Sequence, residues 1–175
     1  MRNIMLRVAG IALLASAGPL PADVTESGDD YFTVRHTFVT GAEPARVYQR
    51  MTAIGEWWNP EHSYSGEASN LYMDAKRGGC FCERLPDGGG VEHLRIIYLA
   101  PEREIRFEGA LGPLQPMAVN GRMSWSIEAA DEGSSVTFIY RVSGHADGGL
   151  DRIAPAVDNV IGEQARRLEE RLSLE

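Results

Sequence analysis

Residues 134–172 read SSVTFIYRVSGHADGGLDRIAPAVDNVIGEQARRLEERL. The run opens with strict alternation, Val136, Phe138, Tyr140 and Val142 sharing one face, which is the period of a half-buried strand. After Gly148-Gly149 the period lengthens to that of a helix, with Val157, Ile161, Ala165, Leu168 and Leu172 on one stripe. Asp151 is the expected N-cap, Pro155 fits only in the first turn, and Arg166, Arg167 and Arg171 suit the negative pole of the dipole. Gly162 inside this helix costs about 1 kcal/mol relative to alanine, so it points to close approach of the sheet or to room for a ligand. A sheet whose long helix arrives last must fold around that helix to bury its apolar face, and such a layer leaves a pocket between the two.

Working back from this run, the same alternation recurs. YFTVRHTFV at 31–39 places Phe32, Val34, His36 and Phe38 on one face. Strands are expected at 69–75, 79–85, 91–100, 103–111, 119–129 and 134–143, separated by turn-formers such as Pro86-Asp87-Gly88-Gly89-Gly90 and Asp131-Glu132-Gly133. Connections this short make neighbours antiparallel, so the expectation is an α+β domain with a seven-stranded meander. Between the first two strands, TGAEPARVYQRMTAIGEWW carries Val47, Met51, Ile54 and Trp58 at helical spacing. Thr40 and Glu43 fit a capping box, and the helix is expected to run to Asn59-Pro60. Residues 59–70 read as a polar loop, and GPLQPMAV after Leu111 as an apolar one.

The first 22 residues read as an export signal: Arg2 and Arg7, an apolar run from Val8 to Ala17, and the small-residue pattern Ala15-Ser16-Ala17, with cleavage after Ala17 or Ala22. The apolar run is interrupted at Gly18-Pro19, well short of the roughly 20 residues of a membrane span, so no stable anchor is expected after cleavage. Periplasmic or secreted localisation follows. Residues 23–30 are polar and expected to be a loose mature terminus, leaving 31–175 as a single domain. Without the leader the chain has 15 basic and 25 acidic residues, a net charge of −10, which repels nucleic acid and anionic lipid.

The order strand, helix, six strands, long helix, joined to WWNPEHSYSG, GGCFCERLPDGGGVEH, GALGPLQ and VDNVIGEQARRLEERL, resembles the START-like or SRPBCC superfamily over residues 31–172. Its segments look most like small exported bacterial members. The resemblance implies a helix-grip fold, a curved antiparallel sheet wrapped around the C-terminal helix with a cavity for an apolar or amphipathic small molecule. It implies no particular reaction, because polyketide cyclases, carriers and activators of heat-shock-protein ATPases share the fold.

Several side chains are candidates for chemistry. Trp58 is expected in the core and Trp57 at a ligand rim, since tryptophan joins a large apolar face to a donor. His62 and Tyr64 lie on the following loop, where functional groups concentrate. Trp125 and Tyr140 carry polar atoms that need partners when buried, and Asp158 beside the helix stripe is either a polar anchor in the cavity or a solvated flank. These six are the ligand-binding candidates. Glu83 and His93 flank a hairpin and can face each other, either as an acid-base pair or as cross-strand charge pairing alone. His36 is expected to line the cavity or to be hydrogen-bonded in the core.

Cys80 and Cys82 point to the same face of one strand, about 6.6 Å apart at Cα, near the upper limit for a disulfide. Two partly buried thiols are the expectation. A bridge needs a kink, which Gly78-Gly79 permit, and a zinc site with His62 or His93 has unusual ligand spacing, so no metal and no cofactor are expected. No nucleophile elbow, phosphate-binding glycine loop or dinucleotide fingerprint is present. The leading expectation is an exported protein that binds a small apolar or aromatic molecule. The alternatives are a cyclase or isomerase using Glu83 and His93, and a co-chaperone-like interaction module.

Overall fold

The computed structural model describes residues 24–174. Its strands are β1 (Val24–Gly28), β2 (Tyr31–Thr40), β3 (Leu71–Met73), β4 (Cys80–Arg84), β5 (Gly90–Ala100), β6 (Glu104–Glu108), β7 (Ala118–Ala129) and β8 (Ser134–His145). They form one antiparallel sheet in the order β1-β2-β8-β7-β6-β5-β4-β3, packed against the long helix α2 (Ala154–Ser173). This is the α+β helix-grip arrangement, with eight strands instead of the expected seven.

The extra strand is β1, drawn from the segment expected to be loose. Apart from Val24 its side chains are polar or absent, so alternation gives no signal. It is held instead by the ladder to β2 and by Thr25 Oγ1 donating to the Thr33 carbonyl at 3.2 Å. The turn that follows is tied down as well, because the Asp29 and Asp30 carbonyls accept from Leu150 N–H at 2.8 Å and Gly144 N–H at 2.9 Å. The expected export signal lies outside the described residues.

The first helix, α1 (Pro44–Thr52), is shorter than its periodicity predicts. A tighter helical turn over Ile54–Glu56 follows, and Gly55 passes so near the Ala68 and Leu71 carbonyls that a Cβ would lie 2.8 Å from each. The capping box does not form: Glu43 is the N-cap without a side-chain bond, and Thr40 Oγ1 instead accepts from Ala42 N–H at 3.3 Å. At α2 the N-cap is Ile153, not Asp151, and Pro155 lies in the first turn as the helix requires.

The core is aromatic where the sheet meets the helices. Trp125 stacks on Phe138 at 4.8 Å between ring centres and meets Phe107 edge-on at 4.9 Å and Trp57 at 5.8 Å. His36 Nε2 and Asp158 Oδ1 lie 2.9 Å apart, joining β2 to α2. Gly162 is one helical turn further along, and a Cβ there would stand 2.6 Å from His36 Cε1, so the glycine serves close approach of helix and sheet.

Candidate functional site

A cavity of about 590 Å³ opens between three segments. The loop after α1 supplies Trp58, Glu61, His62, Ser63 and Tyr64; the loop after β6 supplies Leu111, Pro113, Leu114 and Pro116; the first half of α2 supplies Ile153, Val157, Val160 and Ile161. His93 of β5 completes the wall. The volume falls in the range of small-molecule sites, and the lining is mostly apolar with a few convergent polar groups.

Each wall is fixed by its own bonds. Asn59 N–H donates to Gln164 Oε1 at 2.8 Å, Asn59 Nδ2 to Glu163 Oε1 at 2.6 Å, and Arg167 Nε to the Trp57 carbonyl at 2.7 Å, fastening the 57–64 loop to α2. His62 Nε2 lies 3.0 Å from Glu163 Oε2 in the same seam. The 109–117 loop hangs on Tyr140, whose hydroxyl accepts from Leu111 N–H at 3.0 Å and donates to the Gly109 carbonyl at 3.2 Å. Burial there pushes the Tyr140 phenol up to about 12, so it stays neutral. Gly121 leaves the space for this contact, since a Cβ would collide with the Tyr140 hydroxyl and the Gly109 carbonyl.

His93 reaches the cavity through a β-bulge. Phe81 pairs with Leu94 and Cys82 with Glu92, so His93 is the extra residue of β5 and both it and Leu94 turn inward. Bulges often re-aim a side chain in this way. The imidazole stacks on Phe81 at 4.6 Å and lies 5.8 Å from the Tyr64 ring. Behind it Glu83 Oε2 is 2.9 Å from His93 Nε2, and the same carboxylate accepts the backbone N–H groups of Tyr64 and Ser65. Burial raises the Glu83 carboxyl, but the bonds from Ser65, Tyr64 and His93 outweigh it and its pKa lies below the ordinary value. Burial holds the His93 pKa below its ordinary value against the opposing pull of Glu83. The pair is therefore a buried carboxylate and a neutral imidazole near pH 7.

Among the sequence candidates, His62, Tyr64 and His93 lie on the cavity wall, with Glu83 directly behind His93. Trp58 is buried in the core as expected and also lines the cavity, whereas Trp57 is not at a rim. Trp58 forms wall, its Nε1 donating to the His62 carbonyl at 3.0 Å, while Trp57 is packed inside with Nε1 on the Arg50 carbonyl at 2.9 Å. Trp125 and Tyr140 also stand in the packed interior instead of the wall. Asp158 is neither cavity anchor nor solvated flank, being 1% exposed and committed to His36.

The cysteines correct another expectation. Cys80 and Cys82 form a disulfide, and their Cα atoms lie 5.4 Å apart, closer than a regular strand allows, beside the register shift between β4 and β5. Alternation turns Phe81 and Glu83 inward and the sulfurs outward, away from His93, so a zinc site with His62 or His93 does not form. Among the described residues the one grouping with metal-ligand spacing is Cys80, Cys82 and Glu92, whose sulfurs are already bonded to each other.

Sequence reasoning missed Val160 and the fastening role of Glu163, Gln164 and Arg167. A signal existed for the helix: Ile153, Ala156 and Val160 widen the apolar stripe of Val157 and Ile161 over its first turns.

No family model and no curated protein matches the sequence. Similar solved structures include an uncharacterized protein from Rhizobium leguminosarum, 21% identical, covering 86% of this chain and 100% of that one, with a TM-score of 0.57. Ara h 8.0201 is 13% identical, with 83% of this chain and 99% of that one covered and a TM-score of 0.57. The di-domain ARO/CYC StfQ from the steffimycin biosynthetic pathway is 13% identical over 81% of this chain and 50% of its own, with a TM-score of 0.54. At these identities the likeness establishes a shared fold, the one that START-like and SRPBCC proteins have.

Proposed function

We propose that this protein is an exported carrier that holds a small apolar or aromatic molecule in the cavity at the N-terminal half of α2. The observation that carries this reading is the cavity itself, about 590 Å³ with a wall built mainly of Trp58, Leu111, Leu114, Val157 and Val160. An opening lined so largely by apolar groups is costly to fill with water alone, whereas an apolar molecule releases that water. The leader-like start with Arg2, Arg7 and Ala15-Ser16-Ala17 supports export. Native mass spectrometry of the mature protein from its own periplasm, set against the mass after denaturation, tests the reading. A small mass lost on unfolding is expected; a protein that is empty and takes up no aromatic probe would refute it.

One contact favours a second reading, a proton-transferring enzyme of the cyclase or isomerase kind. Glu83 and His93 are 2.9 Å apart, with His93 on the wall. Such an enzyme would wash deuterium from D2O into a bound carbon acid, and a carrier would not.

A further inference from the structure

We infer that the cavity selects a neutral aromatic molecule bearing a hydroxyl group, whose O–H donates to Nδ1 of His93. This rests on the carrier reading and names the chemistry of its ligand. Glu83 sets the polarity of the site. Its carboxylate already takes the Tyr64 and Ser65 N–H groups and can only accept, so the proton between it and His93 belongs to Nε2. Nδ1 is then left with a lone pair. No group among the described residues donates to it, and His93 lines the cavity, so Nδ1 is the acceptor this residue has left to offer there. The low pKa of the buried imidazole keeps this state at neutral pH.

His62 Nε2, 3.0 Å from the Glu163 carboxylate, and the other polar side chains of the wall have spent their donors. Tyr64 Oη donates to the Gly112 carbonyl at 3.1 Å, Trp58 Nε1 to the His62 carbonyl at 3.0 Å and Ser63 Oγ to the Pro60 carbonyl at 2.7 Å. No lysine or arginine lines the cavity, and Glu61 adds negative charge at its rim. A site of this kind accepts hydrogen bonds and repels anions, so a fatty acid or aromatic carboxylate is a poor occupant.

Titration with naphthalene, 2-naphthol, 2-methoxynaphthalene and 2-naphthoate tests this. The expected order places 2-naphthol about 2- to 12-fold tighter than its methyl ether, the worth of one net hydrogen bond, with 2-naphthoate weakest. His93→Phe, which keeps the stack on Phe81, should bind naphthalene and lose the preference for the naphthol. The 15N shifts of His93 in the wild-type protein give a reading that needs no variant: Nε2 protonated and Nδ1 bare, with Nδ1 moving when 2-naphthol is added. Naphthalene binding without any preference for the naphthol, a preference for the naphthoate, or a proton on Nδ1 overturns the inference and leaves the carrier reading standing. Failure of every probe, naphthalene included, removes both.

Discussion

Trp125 lies at the centre of the aromatic cluster, 1% exposed and stacked on Phe138, so its replacement reads out packing and not ligand contact. Trp125→Ala should cost about 3–5 kcal/mol in denaturant unfolding; a loss under about 1 kcal/mol would mean that the cluster is not the core. Glu83 and His93 have a different readout, the pH dependence of stability. Both have folded pKa values below their ordinary ones, 4.5 and 6.5, so in each case the unfolded chain binds protons more readily. The stability this confers is present above the ordinary value and is lost as pH falls below it. The urea midpoint should therefore drop on acidification, first below about 6.5 from His93 and again below about 4.5 from Glu83. In His93→Phe the contribution of this residue to the upper step vanishes; an unchanged profile in that variant would contradict the assignment. The pairing of these two side chains was legible, because both flank one hairpin. The inward turn of His93 was less so, although the shift of phase from Val91 and His93 to Leu94 and Ile96 is the trace a bulge leaves in a sequence.

Elements with a long apolar period were the legible ones. The strands from β6 to β8 and the helix α2 follow alternation and the 157–172 stripe closely, because a buried face leaves the pattern no freedom. Elements held by backbone bonds or by loop-to-helix contacts were not: β1 has no apolar face, and the end of α1 is set by the contact of Gly55 with carbonyls far along the chain. The disulfide belongs to this second class, since it depends on the local irregularity of the β4–β5 ladder. It closes a very short loop, so the chain-entropy estimate of its worth is only about 1.5 kcal/mol. Thiol alkylation of the unfolded protein should label Cys80 and Cys82 after reduction and not before; labelling without reductant would show two thiols. The loop over the cavity depends on Tyr140. Removing its hydroxyl in Tyr140→Phe takes the acceptor from the half-buried Leu111 N–H, which should cost about 0.5–1.5 kcal/mol and speed hydrogen exchange at Leu111.

At the scale of the whole molecule, the fold separates a packed half from an open one. Trp57, Trp125, Phe138 and Phe107 fill the space between sheet and helix that the sequence reading assigned to a ligand, and the cavity lies beyond them, where two loops meet the start of α2. The same sequence features therefore announced a pocket correctly and placed its contact surface too deep, because alternation marks which face is inward without showing how far the inward side chains fill the space. No helix among the described residues is long and apolar enough to cross a membrane. The central claim is that the cavity holds an apolar molecule. Val160 tests it most directly, since its side chain lines the cavity without belonging to the packed core. Fluorescence titration of the wild-type protein and of Val160→Trp with N-phenyl-1-naphthylamine, alongside thermal unfolding of both, is the measurement. The account predicts saturable binding to the wild type that is lost in Val160→Trp at an unchanged melting temperature. Equal binding by both proteins, or none by the wild type, would contradict it.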